Sequence, residues 1–164
     1  MAKSSITITL YMSELLYDVQ NKSWLVGESR RTGDNHELVA AMQMNADPEH
    51  KNQALRSISL AYGRLKTELN EYLAAETVTS DNDALISAES NLTLNLYVPG
   101  NYNHVTVKTV TAECTDYIEN MTLSDWFQIT SPTDAEGYAA KAAANLLNIR
   151  AAINKRVRPI RTNV

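Results

Sequence analysis

The sequence has few of the residues that carry covalent or metal chemistry. It contains one cysteine and three histidines in 164 residues. A single cysteine excludes an intramolecular disulfide framework, and no apolar run reaches the about 18 residues that a membrane-spanning helix needs. Because the first residues lead into alternating Ile and Thr and form no apolar block, we expect no secretory signal and a protein that folds in a reducing cytoplasm.

Motifs of known catalytic and metal sites are also missing. No Glu is followed by His three residues later, as di-iron helical bundles require, and the lone Cys114 cannot form a structural zinc site. There is no Gly-x-Gly-x-x-Gly, no Gly-x-Ser-x-Gly and no phosphate-binding lysine motif. The histidines His36, His50 and His104 share no ligand spacing. We therefore expect no enzyme activity, no metal and no cofactor.

Charge is distributed unevenly along the chain. The net charge is −4, yet residues 150–164 contain five basic side chains and no acidic one, which leaves −9 for the rest. An acidic chain is not a general nucleic-acid binder, but its basic end can meet an acidic protein surface or phosphate groups. The alternative is a solvated terminus whose cations lie at the negative end of a helix dipole. Ile160 among the arginines favours docking on a partner, since it would otherwise be exposed to water.

Apolar residues at helical spacing predict four long helices. The first covers about 9–31 and is followed by a short helix that ends around Met42. The second begins at Asp47-Pro48, because Asp suits the cap and Pro suits the first helical position. Its apolar residues follow a heptad seam through 55–72.

The second half of the chain contains the other two long helices. The third is predicted over about 104–121, although 105–110 also fits a strand, and a short helix at 122–127 follows it. The fourth begins at Ser131-Pro132 and stops at a proline after residue 158. Gly63, inside the second long helix, predicts close approach of a neighbouring element.

Two segments alternate apolar and polar residues as half-buried strands do. They are 5–10 and 92–98, and Pro99-Gly100 breaks the second. A lone strand cannot satisfy its own main-chain groups. The segment 92–98 must therefore pair with 5–10, with the residues after Gly100, or with another subunit.

The elements together predict a mainly α protein with a four-helix bundle-like fold. A small strand and loop insertion at 91–103 lies between the second and third long helices. We expect a single helical-bundle domain at 1–157 and a basic C-terminal tail at 158–164. Deletion of residues 157–164 is expected to leave the bundle folded and to weaken partner binding.

Partner contacts are predicted at the strand–loop insertion and in the basic tail. Tyrosines are amphipathic and suit interfaces, so the two beside the Pro-Gly break are candidates, with core packing as the alternative. The tail contributes cations and one isoleucine. The predicted contact residues are Lys155, Arg156, Arg158, Ile160, Arg161, Tyr97, Pro99 and Tyr102.

Three features occur together in this layout: the heptad seam 55–72, the strand and loop 92–102, and the basic tail 155–161. In this combination the chain resembles the head–tail connector, or head-completion, proteins of tailed bacteriophages. The resemblance implies a structural virion protein without catalytic residues, which forms a homo-oligomeric ring beneath the portal. It implies folding in the host cytoplasm, location in the virion neck, and C-terminal arms that reach into the portal.

The implied partners are copies of the chain itself, the portal, and a tail or stopper protein. We expect no membrane partner and no nucleic acid as a specific ligand. An alternative is a soluble helical binding module or regulator, whose basic tail contacts nucleic acid or an acidic partner. An enzyme would instead need a deep pocket lined by histidines and acids.

Overall fold

The structure, a computed structural model, describes residues 3–75 and 87–159. Within these ranges the chain is mainly helical with one small antiparallel sheet, so the predicted mainly α class is confirmed. The elements are β1 Lys3–Tyr11, α1 Met12–Ser29, α2 His36–Met42, α3 Pro48–Glu68, β2 Asn91–Pro99, a 3-10 turn His104–Thr106, α4 Val107–Thr130 and α5 Pro132–Ile153.

The longest helices, α4 and α5, pack against each other as an antiparallel pair joined by Ser131 alone. Their contact includes a hydrogen bond of 2.8 Å from Asn120 Nδ2 to Asn145 Oδ1. The predicted break at 122 is wrong, because the Thr122 hydroxyl is buried and donates to the Ile118 carbonyl one turn earlier. The helix therefore continues through the positions assigned to a separate short helix.

The strand 92–98 pairs with 5–10 of the same chain, which decides between the three predicted pairings. The ladder is antiparallel, with Ile6 opposite Leu96 and Leu10 opposite Leu92. Even-numbered residues of both strands point into the core, and odd-numbered residues mostly face outward. Because the strand has an intrachain partner, its main chain does not require a second subunit.

The other edge of β2 is also paired. The Tyr97 N–H donates to the Tyr72 carbonyl at 2.6 Å, and the Ala74 N–H donates to the Asn95 carbonyl at 2.8 Å. The helical seam was predicted to continue to Tyr72, but α3 ends at Glu68. Residues 69–72 instead form turns, and Leu73 then makes an isolated antiparallel bridge to Leu96 of β2.

Long-range pairing also shifts two other predicted helix ends. The first helix begins at Met12 and not near residue 9, because residues 9–11 remain in the β1 ladder opposite β2. The last helix ends at Ile153 and not near Pro159, because residues 155–157 pair with the loop after β2. Local helical spacing cannot anticipate either contact.

Two helical glycines are expected to respond oppositely to alanine. A Cβ at Gly63 would meet nothing within 4 Å, so the predicted close approach is wrong. We expect Gly63→Ala to raise the free energy of unfolding by about 0.5–1 kcal/mol through helix propensity and reduced freedom of the unfolded chain. Urea denaturation would measure this change.

Gly27→Ala is the matched control for that prediction. A Cβ there would lie 2.5 Å from Gln43 Cγ, and the Gln43 amide bonds to the Trp24 carbonyl and to Glu28. Because the glutamine must move, we expect a loss of about 1 kcal/mol. Equal effects of the two substitutions would contradict this reading.

Candidate functional site

The segment 155–157, which directly precedes the predicted basic tail at 158–164, is bonded to the loop that follows β2. The Asn103 N–H donates to the Lys155 carbonyl at 3.0 Å, and the Val157 N–H donates to the Asn101 carbonyl at 2.9 Å. These bonds form a short antiparallel bridge between Tyr102 and Arg156. The loop and the segment 155–157 therefore form one unit beside the end of the two-stranded ribbon.

Tyr102 lies inside this unit and not on its surface. Its side chain is 2% exposed, and the Thr106 hydroxyl lies 2.7 Å from its phenolic oxygen. Its ring meets the His104 ring edge-on at 5.4 Å between centroids. Of the two alternatives predicted for Tyr102, interface contact and core packing, its burial favours core packing, because the bridge to Arg156 folds the loop back over its ring.

An open groove of about 520 Å³ lies at the end of the ribbon. It brings together three of the predicted contact residues, Tyr97, Pro99 and Arg156. Tyr97 is 43% exposed on the outer face of β2. We name this hollow the ribbon-end groove. The described residues that line it are Lys3, Glu71, Tyr72, Tyr97, Val98, Pro99, Asn101, Asn154 and Arg156.

The other predicted contact residues that the structure describes lie outside this lining. Lys155 and Arg158 are exposed next to Arg156 in the chain. Ile160 and Arg161 lie outside the residues that the structure describes. Val157 is the last residue, within the described ranges, whose main-chain N–H bonds to the rest of the fold. A truncation that spares the bridge should therefore begin at 158.

Lys3 also lines the groove, although it was not among the predicted contact residues. Its ammonium lies 5.7 Å from the centroid of the Tyr97 ring, a cation–π arrangement. The sequence contained a clue to this position. If the ladder between 5–10 and 92–98 is continued toward the N-terminus, it places Lys3 opposite Pro99. That step required knowing which of the three pairings the strand adopts.

The groove has a positive balance and polar walls. Lys3 and Arg156 outnumber the single carboxylate of Glu71. The Asn154 side chain donates to the Tyr72 hydroxyl at 2.9 Å and to the Arg150 carbonyl, which fixes one wall. An aromatic ring, two cations and amide groups around an open hollow suit an aromatic or carboxylate side chain of another protein.

Cys114 and His50, which could in principle carry catalytic chemistry, do not line the ribbon-end groove. The pKa of the Cys114 thiol is raised to about 12 by burial and by the nearby charge of Glu113, so the thiolate nucleophile does not form. His50 accepts a hydrogen bond from the Asn45 N–H and meets Trp126 edge-on at 4.9 Å. Across 3–75 and 87–159, no three His, Cys, Asp or Glu side chains form a metal-binding group.

Comparison with known proteins found no matching family model, no matching curated protein and no matching solved structure. Among the described residues, no helix has the length and apolar character required to cross a membrane.

Proposed function

We propose that this chain is a structural assembly protein, a head–tail connector subunit that forms a homo-oligomeric ring at the portal of a tailed bacteriophage. In this proposal its long helices act as a bundle, and the ribbon-end groove and basic tail contact other proteins. Copies of the chain, the portal and a tail or stopper protein are the partners. The proposal needs no catalytic residue and no cofactor.

The observation that carries the proposal is the bridge between Asn101–Asn103 and Lys155–Val157. It holds Lys155 and Arg156 next to the ribbon-end groove, so that the groove and the tail that follows offer one composite surface. A solvated, functionless terminus would not need two main-chain hydrogen bonds to a loop. The layout that resembles connector proteins supports the same function.

A second surface suits contact between copies. Helix α5 packs mainly against α4, and its buried positions Ala135, Ala142 and Ile149 recur every seventh residue. Its opposite side exposes Ala144 and Leu147, the latter 66% exposed. Small residues on a helix surface permit close helix packing between subunits.

The mass of the purified protein in solution is the direct test of ring formation. We expect light scattering, across concentration and salt, to detect a closed assembly of many copies, or a monomer that forms rings when portal protein is added. A protein that stays monomeric even with portal protein would contradict the proposal.

Truncation of residues 158–164 is expected to leave the fold intact and to weaken assembly. The truncated chain keeps the Val157 hydrogen bond and loses two cations, Arg158 and Arg161. We expect an unchanged circular-dichroism melt and roughly tenfold weaker association with portal protein, since such charges contribute about 1–2 kcal/mol to binding. Unchanged association would show that the tail is not a contact element.

The alternative is a regulator whose tail contacts nucleic acid, and it predicts a different salt response. When a protein binds through phosphate contacts, the logarithm of its binding constant falls steeply and linearly with the logarithm of the salt concentration. Titration of fluorescent DNA with the full chain and the truncated chain separates the two functions. Tail-dependent, salt-sensitive DNA binding without any assembly would favour the regulator.

A further inference from the structure

The outward side of α1 exposes two aromatic side chains. Tyr17 is 66% exposed and Trp24 is 49% exposed, two turns apart on the same side of the helix. Within 3–75 and 87–159, neither ring stacks on another ring or receives a cation. A shallow depression of about 310 Å³ lies beside Tyr17. We name as the Tyr17 patch the residues Ser13, Glu14, Tyr17, Asp18 and Trp24.

The surroundings of the Tyr17 patch are acidic. Glu14 and Asp18 line the depression. Although burial lowers the pKa of Lys22, its hydrogen bond to Glu119 and the charges of Glu119, of Asp116 on α4 and of Asp18 raise it. Lys22 is already paired with the buried Glu119. Carboxylates therefore outnumber cations here, whereas cations outnumber carboxylates in the ribbon-end groove.

We propose that the Tyr17 patch of one copy docks in the ribbon-end groove of the next copy. This inference rests on the proposed ring and supplies one contact within it. Glu14 and Asp18 meet Lys3 and Arg156, and the Tyr17 ring enters the hollow beside Tyr97. Charge of opposite sign on the two surfaces selects a second copy as the occupant.

The positions of the two surfaces make the contact head-to-tail. The groove lies at the Lys3 end of β1, whereas α1 begins immediately after Tyr11. Nine extended residues span about 27 Å between those ends, so one copy does not fill its own groove. Two different surfaces that fit each other produce a heterologous contact, and such contacts form a ring when the rotation from copy to copy closes.

A charge exchange tests the contact in the full-length protein. We expect Glu14→Arg and Arg156→Glu each to weaken self-association roughly tenfold or more, since like charges would face each other. The two substitutions in one chain restore opposite charges across every contact and should recover association. Glu37→Arg, an exposed change on α2 outside all of the proposed contact surfaces, is the matched control and should have no effect.

Aromatic substitution separates packing from charge. Tyr17→Ala should weaken self-association, whereas Tyr11→Ala, which removes a tyrosine that is 50% exposed on the ribbon, should not. Sedimentation velocity measures association for each variant, and circular dichroism verifies that each is folded. Equal association of wild-type, Glu14→Arg and Tyr17→Ala proteins would overturn the inference.

Zero-length cross-linking locates the contact without relying on ring formation. Carbodiimide joins a carboxylate to a lysine in direct contact, and a mixture of isotopically light and heavy protein identifies links between copies. We expect links from Glu14 or Asp18 to Lys3 or Lys155. Rings without these links would overturn the docking inference and leave the proposed function standing. Linked pairs that never form rings, even with portal protein, would support the docking contact and contradict the proposed function.

Discussion

Replacing Lys22 by methionine is expected to lower the free energy of unfolding by about 3 kcal/mol at about pH 8. Lys22 Nζ donates to Glu119 Oε2, and the Glu119 side chain is 2% exposed on α4. Without the ammonium, the carboxylate would remain buried with no cation beside it. The loss is smaller than for a fully buried pair, because the Lys22 side chain is 41% exposed.

The size of this loss should depend on pH, in a direction set by Glu119. Burial raises the pKa of Glu119 to about 7, although the hydrogen bond and charge of Lys22 act to lower it. An unfolded glutamate has a pKa of about 4.3. Between these values the folded protein holds a proton that the unfolded chain has released, so stability rises as the pH falls from about 7.

Methionine at position 22 removes the group that opposes this shift, so the pKa of Glu119 should rise further. The folded variant then avoids the buried charge by protonation, and the difference from wild type should shrink at about pH 5. Guanidinium denaturation at the two pH values measures this change. If Lys22→Met destabilises the protein equally at the two pH values, loss of the ion pair is not the cause of the destabilisation.

Glu119→Gln is the control for the ion pair. It removes the titrating carboxylate but retains an oxygen that can accept from Lys22. We expect the stability of this variant to lose most of its dependence on pH between about 5 and 7. At about pH 8 it should be more stable than the Lys22→Met variant, because it leaves no buried charge.

Tyr102→Ala is expected to destabilise the fold by about 3 kcal/mol, whereas Tyr97→Ala should change stability by less than about 1 kcal/mol. Tyr102 is 2% exposed beneath the bridge to Arg156, so its removal leaves a cavity. Tyr97 is 43% exposed and its ring contacts Lys3 at the surface. Thermal unfolding of the two variants measures the difference.

The same pair separates structure from partner binding. Tyr97→Ala should retain wild-type stability and weaken association, since its ring lines the ribbon-end groove. Tyr102→Phe keeps the buried ring and loses only the contact with the Thr106 hydroxyl, so about 1 kcal/mol is expected. A stable Tyr102→Ala protein would contradict the placement of this residue in the core.

Local patterns predicted much of the helical structure because they record which side of an element is buried. The seam of α3 has Leu55, Ile58 and Leu65 buried as its spacing indicated. Both helix starts that contain proline, at Pro48 and Pro132, lie where they were predicted. Their caps differ, since neither Asp47 nor Ser131 forms a side-chain cap hydrogen bond.

The candidate site was predicted only in part. Tyr97, Pro99 and Arg156 were identified from sequence and line the same groove, but Lys3, Tyr72 and Asn154 were missed. These residues are separated along the chain and come together through the ladder of β1 with β2 and the bridge to the tail. Alternating or helical periodicity along the chain carries no information about which distant residues come together.

Residue types and spacing alone determine the mainly α class and the two strands. They also determine the polar character of the tail and the absence of known catalytic motifs. Those properties depend on neighbours along the chain, whose periodicity is visible in the printed sequence. The partner of β2, the burial of Tyr102, the continuous α4 and the ribbon-end groove come from three-dimensional packing. Each depends on main-chain hydrogen bonds or buried contacts between residues that are far apart in sequence.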